Sequence, residues 1–181
     1  MSKKALFLDR DGVININYGY VHKIKGFDFI DGIFDLTRAA LAKNYIICVV
    51  TNQAGIGRGY YSEKDFQYLT AWMCERFKSE GVLISKVYHS PYHPTDGIGK
   101  YKKDHISRKP KPGMILEAIN DLNIDAKNSI MIGDKATDIQ AAIAADLGVK
   151  IYFGEDDISQ DVCIDSYNKI CNLAEAEIFL R

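Results

Sequence analysis

No apolar run in this 181-residue chain approaches the roughly 18 to 20 residues that would cross a bilayer, so no membrane-spanning helix is expected. Cysteine is sparse: Cys48, Cys74, Cys163 and Cys171 form no CxxC pair, and no disulfide framework is expected. Cys48 in an apolar run and Cys74 in a helical one read as small buried hydrophobes. An excess of one charge is also missing. Basic residues number 23 against 24 acidic, a net charge of −1, which leaves no electrostatic footprint for nucleic acid. An acid already at Asp9 leaves no room for the apolar stretch of about 7 to 15 residues in a secretory leader, and a cytoplasmic protein is expected. Repeats and low-complexity segments are absent. What is present is ordinary globular material, 47% hydrophobic and 26% charged, of a length that suits one domain over residues 1–181.

Short apolar runs alternate with amphipathic stretches. Ala5–Leu8, Tyr45–Val50, Leu83–His89, Ser129–Ile132 and Val149–Phe153 read as strands. Tyr45–Val50 has no polar interruption, as expected of a strand buried on both faces. Helices are expected over Gly32–Lys43, from an N-cap at Ser62 to Glu80, from Pro112 at the first helical position to Leu122, and over Ala136–Ala145. A last helix is expected from Leu173 to Leu180. Helix-length connections between strands predict a doubly wound, mostly parallel α/β sheet. All four prolines fall between residues 91 and 112, in a long loop of the functional kind. A second glycine-bearing loop runs from Gly12 to Gly32.

In such a sheet, ligands bind beyond the carboxyl ends of the strands. Four strand ends or following loops carry polar groups: Asp9-Arg10-Asp11-Gly12, Thr51-Asn52-Gln53, Arg108-Lys109-Pro110, and Gly133-Asp134-Lys135 with Asp138 beyond. Asp9 and Asp134 side by side would repel, which calls for a cation. A site of few protein oxygens suits Mg²⁺, which keeps waters and binds substrate phosphate. Thr51, Asn52 and Lys109 offer a hydroxyl, an amide and a positive charge to an anionic oxygen. Together these groups make a phosphoryl-transfer site. Of Asp9 and Asp11, one can attack while the other handles protons. Asp138 sits in a first helical turn, where an acid is stabilising in any case, so a structural role weighs at least as much as metal contact.

The segments Phe7-Leu8-Asp9-Arg10-Asp11-Gly12, Val50-Thr51-Asn52-Gln53, Lys109-Pro110 and Ile132-Gly133-Asp134-Lys135-Ala136-Thr137-Asp138 resemble the four motifs of the haloacid dehalogenase-like phosphatases. Longer stretches resemble one subgroup, the heptose bisphosphate phosphatases, themselves similar to histidinol-phosphate phosphatases. These are Asn17 to Val21, Thr51 to Gly59, Ser90-Pro91-Tyr92-His93-Pro94 and Arg108 to Met114. The likeness runs from about Lys4 to Gly148.

The resemblance implies a Rossmann-like core without an inserted cap domain. It implies Asp9 as nucleophile and Asp11 as the group that protonates the leaving sugar oxygen and then activates water. Thr51 and Lys109 would hold the phosphoryl oxygens. Mg²⁺ would sit on Asp9, the Asp11 carbonyl and Asp134. Arg108 would recognise the substrate's second phosphate. Asn17, Tyr18, Gly19, Tyr20, Asn52, Gln53, Ala54 and Lys135 would line the pocket. The implied reaction removes the 7-phosphate of D-glycero-D-manno-heptose 1,7-bisphosphate. With only loops to close the site, a small sugar phosphate is the expected partner, bound by a monomer. Histidinol phosphate is the alternative substrate, and Arg58 and Arg108 favour a second anionic group instead. A phospho-accepting receiver domain fits less well, because its acceptor Asp would end a mid-chain strand and Leu83–His89 ends in His-Ser-Pro. In the subgroup a zinc ion ties the long loop through cysteines and a histidine. Here those positions are Ser90, Tyr92, His105 and Ser107, so structural zinc is not expected.

Overall fold

The structure is a computed structural model that describes residues 2–181. Its six strands are β1 (Lys4–Leu8), β2 (Tyr45–Asn52), β3 (Ile84–Ser90), β4 (Ile130–Gly133), β5 (Val149–Phe153) and β6 (Asn168–Ile170). They form one sheet in the order β3-β2-β1-β4-β5-β6, and every paired neighbour is parallel. The helices are α1 (Ile33–Ala42), α2 (Ala54–Gly57), α3 (Glu63–Ser79), α4 (Gly113–Leu122) and α5 (Ala136–Ala144). The expected strands and main helices are all present.

Alternation along β1 shows why the sheet is covered on both sides. Leu6 and Leu8 enter one apolar cluster with Ile47, Val49 and Ile132; Ala5 and Phe7 enter the opposite one with Cys48, Val50 and Met131. Burying each large apolar side chain contributes about 1.5–3 kcal/mol. Cys48 is one of those hydrophobes, and burial pushes its thiol up to about 12. Ser62 caps α3 reciprocally with Asp65, whose backbone N–H donates to Ser62 Oγ at 3.1 Å.

Two local expectations are corrected, and two short elements are added. Pro112 is the N-cap of α4 rather than its first helical residue. The terminal helix is a 3-10 helix over Leu173–Phe179. The short strand β6 and the one-turn α2 were not foreseen. Among the described residues, the 12–32 and 91–112 loops carry only short 3-10 turns and isolated bridges, so no cap domain is inserted. No helix among the described residues is long and apolar enough to cross a membrane.

Candidate active site

The strand order reverses direction between β1 and β4, which opens a crevice at their carboxyl ends. Asp9 leaves β1 there and Asp134 leaves β4. Two glycines let these chains approach. Gly12 has φ +106°, and a Cβ on it would lie 2.1 Å from Asp134 Oδ2. A Cβ on Gly133 would lie 2.2 Å from Asp138 Cβ. No side chain fits at either position.

The floor of the site is buried and charged. Lys109 Nζ lies 2.7 Å from Asp9 Oδ1, 2.7 Å from Asp138 Oδ1 and 2.7 Å from the Val50 carbonyl. The other oxygen of Asp138 accepts from the Lys135 N–H at 3.0 Å. Asn52 brackets the lysine, accepting from the Lys109 N–H and donating to the Lys109 carbonyl, both at 3.1 Å. Burial would lower the Lys109 ammonium, but Asp138 and Asp9 outweigh it and hold it above the usual lysine range. Burial raises Asp9. Burial, Asp9 and Asp138 push Asp134 up to about 7. Carboxylate oxygens of Asp9, Asp134 and Asp138 all lie within 4.8 Å of one another. Asp134 Oδ1 is buried and has no hydrogen-bond partner. Three acids against one buried ammonium, with an orphaned oxygen, make a donor set that fits a hard divalent cation.

Asp11 stands beside this floor. Its oxygens accept from Arg10 Nη2 at 2.8 and 2.9 Å, Arg10 Nε at 3.1 Å, Asn15 Nδ2 at 3.1 Å and Gln53 Nε2 at 3.1 Å. Gln53 also donates to Thr51 Oγ1 at 2.8 Å and accepts from the Tyr61 hydroxyl at 2.5 Å. Because Thr51 Oγ1 accepts from Gln53, its own proton stays available for a ligand oxygen.

A cavity of about 390 Å³ opens above these groups. Of the residues foreseen from sequence, Asp9, Asp11, Asn17, Gly19, Tyr20, Asn52, Gln53, Ala54, Arg108, Lys109 and Lys135 line it. Thr51 and Asp134 lie at its base, outside the lining itself. Tyr18 stands apart, with its ring exposed and its hydroxyl donating to Asp28 at 3.1 Å. Arg58, Tyr61, Thr137 and Asp138 complete the lining. Of these, sequence reasoning gave no role to Tyr61 or Thr137, nor to Arg10 behind the wall. An arginine between two acids of a DxD pattern is a signal that could have singled out Arg10.

The outer wall is cationic. Arg58 Nη2 lies 2.6 Å from Asp96 Oδ2, and its guanidinium faces the Tyr20 ring at 5.7 Å. Arg108 Nη1 donates to the Tyr92 carbonyl at 3.1 Å. Burial, and then the like charge of Arg58, hold the Arg108 guanidinium below its usual range. The long loop is fastened by Ser107 Oγ, which donates to Ser90 Oγ at 2.9 Å and lies 2.7 Å from His105 Nδ1. The Tyr92 ring lies over His105, 4.1 Å between centroids.

A 3-2-1-4-5-6 parallel sheet with acids at the β1 and β4 ends and a buried lysine between them defines a haloacid dehalogenase-like hydrolase. The family described as "HAD-hyrolase-like" matches residues 106–150. The D-glycero-alpha-D-manno-heptose-1,7-bisphosphate 7-phosphatase of Burkholderia mallei is 52% identical over 160 residues, covering 88% of this chain and 85% of that protein. The D-glycero-beta-D-manno-heptose-1,7-bisphosphate 7-phosphatase of Vibrio cholerae is 52% identical over 151 residues, 83% of this chain and 81% of that one. The D,D-heptose 1,7-bisphosphate phosphatase of B. bronchiseptica, solved with magnesium and phosphate, shares the fold. Its TM-score is 0.84 at 22% identity, over 97% of this chain and 96% of that one. The chain belongs to the D-glycero-D-manno-heptose-1,7-bisphosphate 7-phosphatase family of haloacid dehalogenase-like phosphatases.

Proposed function

We propose that this chain hydrolyses the 7-phosphate of D-glycero-D-manno-heptose 1,7-bisphosphate, using Mg²⁺ and a covalent phosphate on Asp9. One observation carries the reading: a buried lysine paired with Asp9 on the floor faces two arginines across a cavity sized for a sugar. Asp9 Oδ attacks phosphorus, and the bond to the sugar oxygen breaks. The departing oxygen takes a proton from Asp11, which then removes one from the water that cleaves the acyl phosphate. Thr51 and Lys109 hold the phosphoryl oxygens. Mg²⁺ would be held by Asp9, the Asp11 carbonyl and Asp134, and supplies charge neutralisation for the phosphoryl group. Arg108, with Asn17, Gly19, Tyr20, Ala54 and Lys135 around the sugar, binds the second phosphate. Tyr18, outside the cavity, has no assigned part in this scheme.

The fastening of the loop by Ser90, Ser107, His105 and Tyr92 supports a protein that needs no structural zinc. A monomer is proposed with it. Its substrate class supports a cytoplasmic enzyme. The test is phosphate release with Mg²⁺ from heptose 1,7-bisphosphate, fructose 1,6-bisphosphate and histidinol phosphate at equal concentration. The heptose bisphosphate is expected to give the highest kcat/KM. Preference for histidinol phosphate would overturn the substrate assignment.

A further inference from the structure

Arg10 is unusual for an arginine: it is 1% exposed. Its guanidinium lies 5.9 Å from the Phe27 ring and 6.0 Å from the Phe66 ring, and Nη2 donates to the Val21 carbonyl at 2.6 Å. Nη1 is buried without a partner. A buried cation with one nitrogen unsatisfied is a poor device for stability, since an apolar side chain of similar volume is often as good or better. Its remaining contacts go to Asp11. The backbone around Asp11 is already fixed, because the N–H groups of Val13, Ile14 and Asn15 all donate to the Arg10 carbonyl. The side chain of Asp11 still has its own rotation to lose. Asn15 and Gln53 restrain it with single neutral bonds, whereas Arg10 grips it through Nη2 and Nε.

We propose that Arg10 is a positioning residue: immobilised between Phe27 and Phe66, it holds the Asp11 carboxyl group at the cavity wall where the sugar oxygen departs. The inference rests on the reading of Asp11 as the proton donor. In that step an Asp9 oxygen bonds to phosphorus and the phosphorus–sugar oxygen bond breaks. Its electron pair stays on the sugar oxygen, which takes the proton from Asp11. A p-nitrophenolate group leaves with its charge and needs no proton. Misplacing Asp11 therefore slows the sugar phosphate and spares the aryl phosphate.

The experiment compares kcat/KM on heptose 1,7-bisphosphate and on p-nitrophenyl phosphate, because this ratio reports steps through departure of the first product. The variants are Arg10→Lys, Arg10→Met, Asp11→Asn and the Arg10→Lys/Asp11→Asn double, each checked by circular dichroism and melting. Arg10→Lys keeps the charge and loses the planar fork; Arg10→Met keeps the apolar volume. Both are expected to lose about 10- to 100-fold on the sugar phosphate and less than about threefold on the aryl phosphate. The double variant is expected to be no slower on the sugar phosphate than Asp11→Asn alone. Equal losses on both substrates in a folded Arg10 variant, or additive losses in the double, would overturn the assignment. If Asp11→Asn alone slows both substrates equally, the reading of Asp11 as proton donor fails. If Asp11→Asn discriminates and Arg10→Lys does not, only the role of Arg10 falls.

Discussion

The floor and the outer wall of the cavity are both charged, yet they are built on different principles. On the floor, Asp9 at a strand end, Asp138 at a helix start and Lys109 on the returning long loop are nearly inaccessible, and the lysine meets both acids at 2.7 Å. On the wall, Arg58 at the end of α2 and Asp96 on the long loop are partly open to solvent. Charge placed in a buried, preorganised floor acts at full strength on whatever phosphoryl group arrives. Charge on the wall is partly screened and acts through the rest of the ligand. In the proposed scheme the floor would set whether a phosphate is cleaved, and the wall which molecule carries it.

Asp9→Asn gives the largest test of that division. The amide is nearly isosteric but a poor nucleophile, so turnover should drop by at least roughly 10⁴-fold on every phosphate ester with the melting temperature little changed. Steady-state assays on the heptose bisphosphate and on p-nitrophenyl phosphate check it. Substantial activity on either would break the assignment of the floor. Arg108→Ala is the matching test of the wall. Loss of one charge-assisted contact to a distal phosphate should cost about 10- to 100-fold in kcat/KM on the bisphosphate and little on p-nitrophenyl phosphate. An equal loss on both would move Arg108 from the wall to the floor.

The same division separates what could be read in the sequence from what could not. The floor was legible because strand ends are marked by apolar runs that stop at acids, and chain order alone brings Asp9, Thr51 and Asp134 to one rim. The sequence left Asp138 open between structure and metal. Its two bonds, to Lys109 Nζ and to the Lys135 N–H, show the structural work it does. Asn52 was legible as a site residue, but that its amide clamps the Lys109 backbone depends on where the long loop returns. The place of Arg10 between two acids was legible, but its enclosure was not, because burial is not local. Phe27 and Phe66, which enclose it, come from a distant loop and from α3. β6 was missed because Asn168 and Lys169 are exposed and an edge strand of that length carries no hydrophobic pattern.

A smaller effect probes the floor without any mutation. Burial, Asp9 and Asp138 push Asp134 up to about 7, above the ordinary carboxylate value it takes in the unfolded chain. Between those two values the native metal-free protein holds a proton that the unfolded chain has released. Stability from this group is thus greatest at low pH and is lost as pH rises toward about 7. A divalent cation favours the ionised form and offsets the loss. Adding Mg²⁺ should raise the melting temperature more at about pH 8 than at about pH 6, by a few degrees. Differential scanning calorimetry checks it. An identical Mg²⁺ increment at both pH values would mean that Asp134 is already ionised in the metal-free site.

The smallest expected effect falls on the wall, where no structural zinc is expected in the long loop. A structural zinc site needs four ligands, mostly thiolate or imidazole. Ser90, Tyr92, His105 and Ser107 offer one imidazole among them. Its Nδ1 is engaged with the Ser107 hydroxyl and backbone N–H at 2.7 and 3.2 Å, and its ring is covered by Tyr92. The neighbouring His93 is likewise occupied: the Asp96 N–H donates to its Nδ1 at 3.1 Å, and Arg58 Nη2 lies 3.4 Å from its Nε2. The Gly57 carbonyl adds a backbone tie by accepting from the Ile98 N–H at 2.8 Å. These hydrogen bonds and the Tyr92–His105 ring contact would hold the loop without a metal. Treatment with a strong chelator followed by Mg²⁺ should therefore leave activity and melting temperature unchanged, and elemental analysis should find no stoichiometric zinc. One tightly held zinc per chain would show instead that the serine–histidine–tyrosine cluster rearranges around a metal. The wall would then share the floor's dependence on a bound ion.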